Sequence, residues 1–204
     1  MSPATNDNVR LFVAIVPPES VLAELSAATG SMREAHSGSA EAAVAGPKLR
    51  WSTSESWHLT LAFLGQVEER VLPDLSTRLE RAAHRYPPLR LAITGAGAFP
   101  RPTRARVLWA GIRADDAASL AALADSVAAG ARRAGAHPPD EHRKYSPHLT
   151  LARCRGQADL TELRSALADF ESSAWTAKTI SLIRSNLNSS PRYEELGTWP
   201  LGAG

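Results

Sequence analysis

One cysteine in 204 residues, Cys154, rules out an internal disulfide. It also removes the thiolate clusters on which most structural zinc sites are built. The fold must therefore rest on its hydrophobic core, and 44% apolar residues is an ordinary supply for a globular chain. A chain that carries its thiol unpaired is expected in a reducing compartment. No apolar run approaches the roughly 18 to 20 residues that a membrane-spanning helix needs. The opening "MSPATNDNVR" lacks the charged-then-apolar pattern of a secretory leader. The expectation is a cytoplasmic protein with no membrane association.

Charge of one sign is also scarce. The formal net charge is +2, too little to mark the chain as a nucleic-acid binder on bulk grounds. Local clusters are more suggestive: Arg101, Arg104 and Arg106 in "RPTRARVLW", and Arg143 and Lys144 in "EHRKYSPH". Such groups hold phosphates when they stand beside a site and are solvated surface otherwise. Familiar catalytic signatures are missing as well. There is no Gly-x-Ser-x-Gly elbow and no glycine-rich phosphate loop ending in Lys-Ser/Thr.

Against these absences one pattern stands out. The pentapeptide His-Leu-Thr-Leu-Ala occurs at 58–62 and again at 148–152, in a chain with only six histidines. Alternate side chains of a strand face opposite ways. His58 and Thr60 thus share one face, His148 and Thr150 share another, and the leucines between them point to a core. Two imidazoles facing one another suit paired acid–base work near neutral pH. Two hydroxyls suit the non-bridging oxygens of a phosphoryl group. A single His-x-Thr carries little information, whereas two copies in matching context are specific. A metal site would need further ligands, and Glu141 and His142 beside the second motif do not complete a set. Cys154 reads as core packing rather than a nucleophile.

The surrounding chain reads as alternating strands and helices. Strands are expected over 10–17, at "LRW" (49–51), over 58–65, 89–99, 107–113, 147–153 and 175–185, and in a last short run from 193. The strand 175–185 alternates apolar and polar residues as if exposed on one face, and the glycines of "LRLAITGAGAF" suggest a bulge. Helices are expected over 19–35 with Ser20 as cap, 67–85, 115–135 and 159–170. The segment 36–48 is Gly-rich and polar and reads as a mobile surface loop. Each half carries a His-x-Thr strand followed by a helix. With no linker between the halves, residues 1–204 read as one domain with two lobes facing each other across a cleft.

These residues resemble a known family. "HLTLAFLG" and "PHLTLARC" are similar to the paired motifs of the two-histidine phosphoesterase superfamily. More narrowly, the chain resembles the bacterial RNA 2',3'-cyclic phosphodiesterases, historically called 2'-5' RNA ligases. "RLFVAI", "FPRPTRARVLWAGI" and "KTISLIRSNLNSSPRYEELGTWPL" share the likeness, which runs from about Arg10 to Leu201; nothing is carried onto 36–47. The resemblance implies an α+β fold, bilobal and pseudo-twofold symmetric, with antiparallel sheets, flanking helices and a central cleft. It implies hydrolysis of an RNA-terminal 2',3'-cyclic phosphate to a 2'-phosphomonoester with no metal and no cofactor. Position by position it makes His58 the proton donor to the leaving 3'-oxygen and His148 the proton acceptor that activates water. Thr60 and Thr150 would bind phosphate oxygens, and Arg153 would add a basic contact. In a regular strand, however, 148, 150 and 152 share the site face, so Arg153 reaches it only through a twist or bulge. Tyr145 is the favoured surface for stacking a nucleobase, ahead of Phe63, Phe99 and Trp109. The expected partners are RNA ends or small nucleotides carrying a 2',3'-cyclic phosphate, with no obligate protein partner and a monomeric chain. The alternatives are a 2'-5' RNA ligase, a small cyclic-nucleotide phosphodiesterase, and a non-catalytic module that binds RNA ends.

Overall fold

The computed structural model describes residues 8–37, 49–136, 145–186 and 192–202. Nine strands and four helices are assigned among them. The expected surface loop falls largely on 38–48, and Glu141, His142, Arg143 and Lys144 on 137–144; both stretches lie outside the described residues.

β1 (Asn8–Ile15) is a central strand, and its residues from Leu11 to Ile15 are buried on both faces. That is why it reads as a continuous apolar run rather than an alternating one. Pro17 and Pro18 end it, and the Pro18 carbonyl accepts from the N–H groups of Val21 and Leu22 in the first turn of α1 (Glu19–Ser37). The helix thus starts ahead of Ser20, the expected cap. β2 (Leu49–Trp51) and β3 (Leu59–Glu68) follow. The strand takes Val67 and Glu68 from the expected second helix, so α2 begins later, at Leu72–Ala83, with Pro73 in its first turn. Proline is tolerated there because its missing N–H has no partner within the helix.

β4 (Leu89–Phe99) and β5 (Ala105–Ala114) form a hairpin-like pair. The expected glycine irregularity is present: the register slips between Thr94 and Ala96, at Gly95 with φ of 56°, a conformation that favours glycine. α3 (Ala117–Arg133) is capped by Asp116, whose carboxylate accepts from the Ser119 N–H at 2.9 Å. Gly135 closes it with φ of 91°. β6 (His148–Ala158) and the short α4 (Thr161–Ala166) come next.

The single strand expected over 175–185 is two. β7 (Trp175–Ala177) and β8 (Thr179–Ser185) lie in different sheets, and the chain crosses between them at Lys178. Nor is β8 exposed on one face. It lies between β1 and β9 (Tyr193–Pro200), and Ile180 to Ile183 are all buried. Its one polar residue in that run, Ser181, is satisfied by Thr198 Oγ1 at 3.0 Å. A hydrogen-bonded interior serine looks like a solvent-facing one in sequence.

All pairings between the named strands are antiparallel. One sheet has the order β3-β1-β8-β9, the other β2-β6-β5-β4-β7. The two run alike: a His-x-Thr strand (β3 or β6) pairs with the strand that precedes it through a helix (β1 or β5), and two more follow. The sheets do not split the chain at its middle. β2 and β4, from the first half, serve the second sheet, while β8 and β9 close the first. The apolar faces of both sheets and the helices share one large cluster of buried residues, from Leu11 and Leu25 to Leu149 and Leu182.

Candidate active site

His58 immediately precedes β3, held between Trp57 and Leu59, which are 1% and 0% exposed. Burying its two neighbours fixes the backbone and turns the imidazole the other way. His148 opens β6, next to the fully buried Leu149. Each ring is backed by aromatics from neighbouring strands. Phe12 stacks on His58 with centroids 4.4 Å apart, and Tyr193 meets it edge-on at 5.4 Å. Phe99 meets His148 edge-on at 5.0 Å, and Trp109 lies at 6.0 Å.

Both His-x-Thr strands carry the same defect at the same place. In β3, Thr60 pairs with Ala14 and Ala62 with Val13, so Leu61 is an extra residue. In β6, Thr150 pairs with Trp109 and Ala152 with Leu108, so Leu151 is the extra one. A bulge reverses the parity of the strand beyond it. Leucine and alanine of each motif then both turn inward: Leu61, Ala62, Leu151 and Ala152 are all buried. This explains why the repeat is five letters long rather than three. Beyond the bulge Arg153 pairs with Val107, two residues from Trp109 on β5. Arg153 therefore shares the face of Thr150, as the bulge alternative required. Phe63 occupies the corresponding place beyond Thr60.

The two motifs meet in one cleft of about 800 Å³ lined by His58, Thr60, His148 and Thr150. Arg153, Tyr145, Phe63 and Phe99 also line it; Trp109 does not, and its ring meets those of His148 and Phe99. Tyr145 is packed against the core, and burial pushes its phenol well above the usual range. Arg101, Arg104 and Arg106 do not line the cleft, and Arg104 instead donates to Gln157. Among the described residues, the cationic lining includes four that sequence clusters do not reveal: Arg10, Arg50, Arg132 and Arg192. Phe12 and Tyr193 were equally hidden. Only the alternation of Arg10 and Phe12 along β1, two apart on one face, hinted at a shared surface. Cys154 packs partly buried against the core, and burial raises its thiol pKa.

The two imidazoles differ in electrostatics. His148 Nδ1 lies 2.7 Å from the Ser146 carbonyl. A carbonyl only accepts, so Nδ1 carries the proton and Nε2 of the neutral ring carries the lone pair. Burial, and secondarily the positive charge of His148, pull the His58 pKa from 6.5 down to about 4. The cleft thus disfavours two imidazolium ions at once, and an anion between the rings would reverse the penalty. Among the described residues no group of three or more His, Cys, Asp or Glu is placed to hold a metal ion, and no helix is long and apolar enough to cross a membrane.

Comparison with known proteins agrees with this geometry. A model of the 2'-5' RNA ligase superfamily matches residues 13–188. An RNA 2',3'-cyclic phosphodiesterase of Aeropyrum pernix is 36% identical over 124 residues, 61% of this chain and 68% of that protein. One from Methanothermobacter thermautotrophicus is 29% identical over 197 residues, covering 95% of this chain and 99% of the relative. Among solved structures, E. coli LigT complexed with 3'-AMP superposes with a TM-score of 0.69 at 27% identity, covering 96% of this chain and 99% of that one. With the family model spanning both His-x-Thr strands, this chain belongs to the 2'-5' RNA ligase superfamily.

Proposed function

We propose that the chain hydrolyses the 2',3'-cyclic phosphate at an RNA end to a 2'-phosphomonoester, with His58 and His148 as the acid–base pair. The observation that carries this reading is the convergence of both His-x-Thr pairs on one cleft. Relatives named RNA 2',3'-cyclic phosphodiesterase support the reaction class.

His148 Nε2 takes a proton from water as the water oxygen bonds to phosphorus. The bond from phosphorus to the 3'-oxygen breaks, and His58 supplies the proton that makes the leaving group a 3'-hydroxyl. The tautomer set by the Ser146 carbonyl leaves a lone pair on the nitrogen this role needs. Thr60 and Thr150 donate to the two non-bridging oxygens, where charge accumulates as the fifth oxygen adds. Arg153, placed beyond the bulge, adds charge on the same face. Tyr145, Phe99 and Phe63 form the apolar wall available to a nucleobase. The chain acts as one bilobal domain, each lobe contributing one sheet and one motif.

The test is turnover of an oligonucleotide ending in a 2',3'-cyclic phosphate, with the position of the product phosphate read out. His58→Asn and His148→Asn should each lose about 10³-fold or more in kcat while folding normally. A folded variant that keeps most of its activity would remove that histidine from the mechanism. A 3'-phosphate product would reverse which ester oxygen leaves.

A further inference from the structure

The cleft carries more positive charge than one phosphate can use. Among the described residues its lining contains five arginines (Arg10, Arg50, Arg132, Arg153 and Arg192) against one carboxylate, Asp125. The whole chain has a net charge of only +2. The surplus is therefore a local feature, balanced elsewhere on the surface.

The arrangement is also unfavourable in the absence of an anion. Arg50 on β2 pairs directly with Arg153 on β6. Opposite residues of an antiparallel pair share a face, and like charges there repel. Partial burial, and then the charges of Arg50, Arg192 and Arg10, lower the Arg153 pKa against the opposing pull of Tyr193. Among the described residues, Arg10, Arg50, Arg153 and Arg192 form no ion pair with a carboxylate, whereas Arg70, Arg78, Arg90, Arg113 and Arg184 all do. Two of the four are instead held by aromatic faces. The Arg10 guanidinium lies 4.7 Å from the Phe63 ring centroid and that of Arg192 lies 5.6 Å from Tyr193, an arrangement that positions a cation without neutralising it.

A 2',3'-cyclic phosphate carries a single negative charge, and Arg153 with the two threonines already serves it. Arg50 stands one strand further out, about 4.8 Å away in the pairing direction. We infer that Arg50 and Arg192 form a second phosphate subsite, which takes the internal phosphodiester next to the reacting nucleotide and makes an oligonucleotide end, rather than a free nucleotide, the preferred substrate. The inference rests on the cleft being the reaction site proposed above.

The experiment compares equilibrium binding of two ligands by calorimetry: a nucleoside 2'-phosphate, and a dinucleotide with one internal phosphodiester and the same terminal 2'-phosphate. Wild type should bind the dinucleotide at least about tenfold more tightly. The advantage should shrink severalfold in Arg50→Ala and in Arg192→Ala. Its dependence on salt should weaken by about 0.7 in log–log slope, the value for neutralising one phosphate fewer on a single strand. No dinucleotide advantage in wild type, or the same advantage in both variants, overturns the inference. Because binding is read without turnover, the result is separable from the reaction itself. A protein that shows the advantage but hydrolyses no cyclic phosphate would keep the subsite and sink the proposed activity.

Discussion

The proposed proton donor poses a quantitative question. His58 must be charged to protonate a leaving oxygen, yet burial and His148 hold its pKa at about 4. In the empty cleft at neutral pH it is therefore almost wholly neutral. The substrate's own charge has to recharge it. One negative charge about 4 Å away, at an effective dielectric of about 20, is worth roughly 4 kcal/mol. At about 1.36 kcal/mol per pH unit that is about three units, which returns the imidazole to about 7. A general acid is most effective when its pKa lies near the working pH. The cleft would then produce its acid only when an anion is bound. The assay is a proton–nitrogen NMR titration of the imidazoles, with His58→Asn assigning the signal. Sulfate serves as the probe because it does not titrate in this range. His58 should titrate near 4 in the free protein and at least two units higher with saturating sulfate. A free-protein value near 6.5 would refute the desolvation argument. A value that stays near 4 with sulfate bound would refute the anion's role and remove His58 as donor at neutral pH.

Other consequences follow from the same structure. The folded-state pKa of His58 lies below its unfolded value of 6.5, so as pH falls the unfolded chain takes the proton first. Stability should therefore decline between about pH 6.5 and 4 by about 3 kcal/mol more in wild type than in His58→Asn, measured by urea unfolding at each pH. Equal declines would mean that the ring is well solvated. Thr60→Val and Thr150→Val should each lower kcat by about 10- to 100-fold with the fold intact, since each removes a donor and little volume; unchanged kinetics would take that hydroxyl off the phosphate. Gly97 sits under the Trp109 ring, which a Cβ would overlap. Gly97→Ala should push Trp109 toward His148 and cost about 1 to 3 kcal/mol of stability. It should also reduce kcat in the molecules that remain folded. A stable, fully active Gly97→Ala would show that Trp109 does not position the ring.

Much of the site was legible in the chain because it is written in short range. His58 with Thr60, and His148 with Thr150, owe their shared faces to the two-residue period of a strand, which needs no tertiary information. The alternation of strands and helices followed from the same periodicities, and the capped start and glycine end of α3 are local chemistry, whereas the antiparallel α+β arrangement was implied by the family resemblance. The errors arose where local pattern and global environment part. The 175–185 run reads as one strand because nothing in its composition marks the change of sheet at Lys178. Ser181 looks solvent-facing because a hydrogen bond to a residue seventeen positions away is invisible in sequence.

Parity beyond the motifs was beyond sequence for a similar reason. A regular strand places Arg153 away from the site, and only the extra residue at Leu151 turns it back. The bulge is a property of two strands in register, not of one. The same is true of charge. The conspicuous basic cluster at 101–106 stays out of the cleft, while Arg10, Arg50 and Arg192 are far apart in the chain and adjacent in the fold. The proposed acid–base pair and its hydroxyls are thus encoded in adjacent letters. Which charges surround it, and what pKa His58 has there, depend on distances and burial that exist only once the two sheets have packed.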